Sequence, residues 1–513
     1  MEFDHSACYR ALCTRDARFD GRIFTAVKTT GIYCRPVCPA KTPRSENVVF
    51  YASAAAAQEA GFRPCLRCRP ETAPGLGAWR GSSNTVSRAL SLIEEGALDE
   101  SDVDSLAARL GVGARQLRRL FELHLGVPPI AVAQTRRILL AKQLIHETLL
   151  PMAEVALAAG FGSIRRFNET FLHLFRRSPS SLRRGSARDV AVGASGEVTI
   201  LLRYRPPYDW DAMLTYLEAR AVLGVEVVAN RSYARSIALN GYRGVVIVQH
   251  HDDSALRATI RFSKLSALPS IIARLRRNFD LAADPAAIAD HLRGDRLLAP
   301  LIKKRPGLRV PGAWDGFEVA IRALLGQQVT VRAALALAEK LVAAYGTKLE
   351  HSSIPGLTHT FPTPASIAGA DIAALGMPRQ RAAAISSLAS AVLANPNLLG
   401  SQETLEGTIE KLSELPGIGE WTAQYIAMRE LREPDAFPAA DAGLLRAIGA
   451  LEGSRRAPSE LIERSEGWRP WRAYAAQHLW ASLADASPHR DLEAKHAPKA
   501  EITEPSGELR ATA

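Results

Sequence analysis

Leu415-Pro416-Gly417-Ile418-Gly419 sits between two stretches with helical spacing, and Pro434-Asp435-Ala436-Phe437-Pro438-Ala439-Ala440-Asp441 follows downstream. The first is a hairpin between two helices. Its glycines, Gly417 and Gly419, let backbone N–H groups come close to a phosphate, and the start of the next helix adds a positive dipole end. Such a hairpin holds DNA without reading its sequence. The second stretch places a carboxylate, Asp441, just ahead of another helix. From Leu268 to about Leu483 the apolar residues keep helical spacing, so this half of the chain is expected to be all-helical around the hairpin and that carboxylate.

This combination resembles the hairpin-plus-aspartate superfamily of base-excision glycosylases. The nearer resemblance is to 3-methyladenine DNA glycosylase II, the AlkA family, and covers about residues 200–484. It runs through Tyr204-Arg205-Pro206-Pro207-Tyr208-Asp209-Trp210, Tyr233-Ala234-Arg235 and Tyr242-Arg243-Gly244-Val245-Val246. It continues in Arg305-Pro306-Gly307-Leu308-Arg309-Val310-Pro311-Gly312, Phe361-Pro362-Thr363-Pro364 and Trp468-Arg469-Pro470-Trp471-Arg472-Ala473-Tyr474.

The resemblance implies that Asp441 is catalytic, because breaking a glycosidic bond builds oxocarbenium character on the sugar and a nearby carboxylate stabilises it. Asp435 is expected to face solvent. Trp421, Tyr425 and Trp480, with Tyr216 as a fourth member, map onto the family's aromatic base pocket. Trp421 and Tyr425 are four apart, hence on one helix face. Many flipped alkylpurines are cationic, so such a pocket would favour them by cation–π attraction. Relatives that form a Schiff base carry a lysine where Trp421 stands, which implies hydrolysis alone, by a monofunctional enzyme. Gln328, in Gly326-Gln327-Gln328-Val329, stands where the best-known members insert a leucine wedge into the duplex. No cysteine lies in this half to hold an iron–sulfur cluster.

All six cysteines precede residue 69. Cys34-Arg35-Pro36-Val37-Cys38 and Cys65-Leu66-Arg67-Cys68 form two close pairs, and four thiolates complete a tetrahedral shell for one zinc ion per chain. Spacing alone leaves a purely structural zinc site open. The flanks, Thr29-Thr30-Gly31-Ile32-Tyr33, Glu46-Asn47-Val48-Val49-Phe50-Tyr51 and Ala60-Gly61-Phe62-Arg63-Pro64, resemble the Ada family's methylphosphotriester-repair domain over residues 5–75. That resemblance makes Cys34 both a zinc ligand and the methyl acceptor. Cys8 and Cys13 fall outside the motif and are expected to be ordinary thiols.

Between the two regions, Asp104 to Gly113 reads as a helix and a glycine-bearing turn, followed by a basic helix with Arg115, Arg118 and Arg119. A second copy runs from Met152 through Gly160-Phe161-Gly162-Ser163 to Arg165, Arg166, Phe167 and Phe171. Residues 101–190 hold 14 Lys/Arg against 7 Asp/Glu. A basic helix after a tight turn suits the DNA major groove. The pair resembles the AraC family of transcription regulators, in which a glycine often stands where this chain has Arg176.

The 513 residues carry 64 Lys/Arg against 53 Asp/Glu, a net charge of +11 that favours a polyanionic partner. The N-terminus lacks the apolar core of a signal peptide, and no apolar run approaches a bilayer span; a cytoplasmic protein with no membrane partner is expected. The expected architecture is multidomain α+β. Its units are a small zinc-bound α/β domain (1–75), an all-α double helix-turn-helix domain (82–184), an antiparallel β/α domain (197–282) and an all-α helix-hairpin-helix glycosylase domain (283–484). Residues 485–513 are expected to form a disordered tail; Pro70 to Gly75 and Gly185 to Gly196 read as linkers, and Val198 to Phe262 as strands. The expected partners are double-stranded DNA carrying alkylated bases or methylphosphotriesters, promoter DNA and RNA polymerase. The competing expectation is a transcription regulator whose glycosylase-like half only binds DNA.

Overall fold

The computed structural model describes residues 4–73, 84–183, 197–350, 352, 354–400, 404–454 and 456–486. The Gly185–Gly196 linker lies outside them, as does the C-terminal tail apart from its first two residues, which extend the helix Arg472–Ala486.

The N-terminal unit is a four-stranded sheet with helices His5–Cys13 and Ala54–Glu59. Its strands are β1 (Phe24–Val27), β2 (Ile32–Cys34), β3 (Val48–Tyr51) and β4 (Arg63–Pro64), in the order β3-β1-β2-β4. β1 and β2 form a hairpin that pairs Thr25 with Cys34, and β4 runs parallel to β2. The two cysteine pairs therefore leave neighbouring strands on the same side of the sheet. Cys8 is buried with Leu12, Ile23, Val48 and Phe50, while Cys13 is exposed.

Pro70–Thr72 is no linker but a 3-10 turn packed on the 19-residue helix Pro129–Glu147. Glu71 in that turn is buried and accepts a hydrogen bond from Lys142 Nζ at 2.6 Å. Composition flagged Pro and Gly there; it gave no hint of a distant buried cation.

The two helix-turn-helix copies are Val103–Arg109 with Ala114–Leu125, and Met152–Ala158 with Ile164–Phe175. In each second helix one apolar residue per turn is buried: Leu117, Phe121, Leu125 and Phe167, Phe171, Phe175. Asp102 caps the first copy through Ser105 N, and Ser163 caps the second recognition helix through Arg166 N. Gly126 ends one recognition helix in the left-handed region at φ 74, and Arg176 ends the other at φ 55. The turn is the same, with a side chain tolerated where glycine is easier.

A five-stranded antiparallel sheet follows: β5 (Glu197–Arg203), β6 (Glu226–Ala229), β7 (Ser232–Leu239), β8 (Tyr242–Asp252) and β9 (Ala255–Phe262), ordered β5-β9-β8-β7-β6. Asn240-Gly241 makes the two-residue β7–β8 turn with both φ positive. Within the stretch that reads as strands lies a helix, Trp210–Glu218. Asp209 caps it, and Trp210, Met213, Leu214 and Leu217 bury its inner face at three- and four-residue spacing. This helix carries Tyr216 to the site described below.

Residues 283–486 are helical apart from a short pairing of Thr347–Lys348 with His359–Thr360. One continuous core runs from the helix Pro129–Glu147 and the second helix-turn-helix copy into the five-stranded sheet. The N-terminal sheet is tied to the C-terminal half by an Arg22–Asp284 ion pair and by Arg205, which donates to Asp20 O at 2.8 Å. A cleft of about 1160 Å³ opens between these bodies, away from Asp441.

Candidate active site and metal centre

Helix Glu420–Arg429 begins at Gly419, the end of the hairpin turn. Gly417 has φ +80, and a Cβ there would lie 2.6 Å from the Ala384 Cβ, so two constraints demand glycine. Nothing lies within 4 Å of a Cβ built on Gly419, so that part of the turn has an open approach. Gln327 braces the hairpin, donating to Gly417 O at 2.8 Å and Thr422 Oγ1 at 3.0 Å. Its neighbour Gln328 is exposed and held at φ 57, which sends its side chain away from that brace.

Asp441 is the N-cap of helix Ala442–Glu452. Oδ1 accepts from Leu444 N at 2.9 Å and from Trp480 Nε1 at 2.8 Å, and Oδ2 accepts from Trp421 Nε1 at 3.0 Å. Three donors from three helices thus fix the orientation of a carboxylate that stays partly open to solvent. Gly443 permits this convergence, since a Cβ there would lie 2.8 Å from Asp441 Oδ1 and 3.2 Å from the Trp480 ring.

Trp421 and Tyr425 stack with centroids 5.4 Å apart and planes 11° from parallel. Tyr216 reaches in from its own helix, its hydroxyl 3.3 Å from that of Tyr425. All four expected aromatics therefore gather beside Asp441. A fifth member is Arg429, which sequence did not single out. Its guanidinium lies 4.9 Å from the Tyr216 ring centroid, 5.2 Å from Tyr425 and 5.4 Å from Trp480. The signal was present: Trp421, Tyr425 and Arg429 recur every fourth residue along one helix face. The cation–π faces expected to await a substrate already carry a fixed cation. Burial would raise the Tyr425 phenol, but Arg429 and Arg220, with help from the Tyr216 bond and Arg322, bring it down to about 8. Burial pushes Tyr216 up.

Asp435 does not face solvent. Arg472 binds it through Nε at 2.8 Å and Nη2 at 2.9 Å, and Arg469 adds a further ion pair. It fastens the loop ahead of Asp441 to the last helix, a bond that no local pattern announces.

In the N-terminal unit the Sγ atoms of Cys34, Cys38, Cys65 and Cys68 all lie within 4.8 Å of one another. Four sulfurs bound tetrahedrally to zinc are about 3.8 Å apart, so the set fits. Two backbone amides, Arg35 N to Cys68 Sγ and Arg67 N to Cys65 Sγ, donate at 3.3 Å as outer support. Cys38, Cys65 and Cys68 are buried and Cys34 is partly exposed, which leaves Cys34 as the sulfur an outside group can reach. Arg35 is anchored by Asp20, and Lys142 Nζ donates to Cys65 O at 2.9 Å.

Arg115, Arg118, Arg119, Arg165 and Arg166 are exposed on the two recognition helices, far along the chain from Asp441. Arg165 pairs with Glu169 at 2.8 Å, one turn along its own helix. They form a second basic surface.

Four family models match the chain: the metal binding domain of Ada (residues 7–71), a helix-turn-helix domain (106–185), the AlkA N-terminal domain (199–315) and the HhH-GPD superfamily base excision DNA repair protein (321–473). The chain is 42% identical to a probable bifunctional transcriptional activator/DNA repair enzyme AlkA of Mycobacterium tuberculosis, over 94% of this chain and 97% of that one. It is 37% identical to DNA-3-methyladenine glycosylase 2 of Escherichia coli strain K12, over 54% of this chain and 95% of that one. A 3-methyladenine DNA-glycosylase structure from Archaeoglobus fulgidus shares the C-terminal fold, with a TM-score of 0.50 at 22% identity, over 56% of this chain and 99% of that one.

Proposed function

Since the chain belongs to the family of bifunctional transcriptional activator/DNA repair enzymes, we propose that its C-terminal half hydrolyses the N-glycosidic bond of alkylated bases such as 3-methyladenine, and that its N-terminal half is a zinc–cysteine methyl acceptor joined to a transcription regulator. The observation that carries the first part is the Asp441 carboxylate held by two indole N–H groups and a helix N-terminus.

In this proposal Gly417 and Gly419 hold a phosphate of the damaged strand, Gln328 fills the gap left by the extruded nucleotide, and the base stacks on the aromatic set. The C1′–N bond breaks with its electrons passing to the base. Asp441 stabilises the positive charge left on the sugar, and water adds at C1′. Trp421 presents an indole where a Schiff base would need an amine, so the product is an intact abasic site.

At the other end, bound zinc keeps its sulfur ligands as thiolates, the nucleophilic form. Cys34 Sγ attacks the methyl of a phosphotriester; the S–C bond forms, the O–C bond breaks, and a phosphodiester anion leaves. Methylating one of four thiolates takes the site from net −2 to −1, which weakens its repulsion from DNA phosphates. Arg115, Arg118, Arg119, Arg165 and Arg166 then read promoter DNA, with RNA polymerase as the regulator's further partner. Among the described residues no helix is long and apolar enough to cross a membrane; we place the protein in the cytoplasm.

The test is to incubate the full chain with methylated duplex DNA and separate the released bases. Free 3-methyladenine and a borohydride-resistant, uncleaved abasic strand are the expected products. DNA binding without base release would favour the regulator whose glycosylase-like half only binds.

A further inference from the structure

The aromatic pocket is not an electrically neutral box. Arg429 lies behind three of its rings, and the Arg220 guanidinium lies 4.2 Å from the Tyr216 centroid. Neither is neutralised. Arg429 donates to Pro311 O at 2.9 Å and to Gln477 Oε1 at 3.3 and 3.4 Å, all neutral acceptors, and its Nε has no partner. The hydrogen bond of Arg220 goes to Tyr216 O. Among the described residues no carboxylate lies within ion-pair distance of either. In front of these charges two phenols share a hydrogen bond at 3.3 Å.

We propose that the Tyr216–Tyr425 hydroxyl pair, polarised by Arg429 and Arg220, is a specificity-determining edge that favours a flipped base offering a bare acceptor over a base carrying positive charge. The acceptor is a keto oxygen or an unprotonated ring nitrogen. This deepens the glycosylase reading and rests on it.

The physical case has two parts. A second cation brought against rings that already face a fixed guanidinium is repelled at short range in a half-dry site, where screening is weak. An acceptor is drawn to the same wall. Of the two phenols Tyr216 holds its proton more tightly, so it donates to the Tyr425 oxygen and leaves the Tyr425 O–H to point at the base. A phenol whose proton is loosened by adjacent cations is a stronger donor. The groups facing Tyr425 are Tyr216 and Arg220 from one helix region, Arg322 from the helix Gly316–Leu325 and Arg429 from its own helix. As pH rises past about 8, Tyr425 becomes a phenolate, loses the donor and attracts cations.

The experiment compares single-turnover release from two matched duplexes, one holding hypoxanthine, a neutral keto purine, and one holding cationic 7-methylguanine. In Tyr216→Phe and in Arg220→Met the hypoxanthine-to-methylguanine rate ratio should fall by about tenfold relative to the native chain, the size of one hydrogen bond. In the native chain the ratio should also fall between pH 7 and pH 9, and Tyr425→Phe should abolish that fall. A ratio unchanged in Tyr216→Phe and Arg220→Met, or a pH profile that Tyr425→Phe leaves intact, overturns the proposal. Release of neither base by the native chain overturns the glycosylase reading and this inference with it.

Discussion

Trp480 Nε1 donates to Asp441 Oδ1 at 2.8 Å although the two residues are 39 positions apart. With Trp421 bonded to the other oxygen, the carboxylate is clasped between the hairpin helix and the last helix of the chain. Local sequence accounts for each helix; only their packing brings the clasp together. The site is therefore sensitive to small errors in how three helices meet.

Gly443→Ala tests that sensitivity. Its methyl would fall 2.8 Å from Asp441 Oδ1 and 3.2 Å from the Trp480 ring, so carboxylate and indole must separate. Base release should fall at least about tenfold, since misplaced reacting groups lose rate steeply. Alanine favours a helix over glycine, so thermal stability should hold or rise. Single-turnover release and a thermal scan of the purified variant measure both.

Lys142 and Glu71 make an ion pair at 2.6 Å with side chains 0% and 1% exposed. Lys142→Met strands a buried carboxylate and should cost about 3–5 kcal/mol, whereas replacing both partners by apolar residues should recover most of it. Urea unfolding followed in the N-terminal half measures the difference. A larger loss in the double variant than in the single one would contradict the assignment.

The zinc centre gives a third prediction. The native chain should carry one zinc ion, and Cys65→Ala should lose metal and folding of the N-terminal unit together, because site and fold form jointly. Exposure to DNA bearing methylphosphotriesters should add one methyl to Cys34, seen by intact-mass spectrometry, and Cys34→Ser should abolish the gain. If the methyl transfer also switches promoter affinity, the increase should shrink as salt rises.

Sequence carried a great deal of this molecule, and what it missed has a common cause. The cysteine pairs, the Pro-Gly-x-Gly hairpin and the carboxylate ahead of a helix are short-range patterns, legible because their chemistry needs fixed spacing. The caps at Asp102, Ser163 and Asp209 follow local rules as well. Asp435, Glu71 and Gly443 were opaque because their partners, Arg472, Lys142 and Trp480, are remote in sequence. Trp210–Glu218 was lost among strands because a nine-residue helix with an apolar face reads like an apolar run. Arg429 was visible in the spacing, but an arginine on a helix ordinarily reads as solvated surface.

The most direct test is base release by Asp441→Asn. Asparagine keeps an oxygen for the Leu444 N–H and still caps the helix, so the fold and DNA binding should survive. The negative charge beside C1′ is lost, and release of 3-methyladenine should drop by at least about a hundredfold. Turnover by the folded variant within a few-fold of the native chain would contradict the assignment of Asp441 as the residue that carries the reaction.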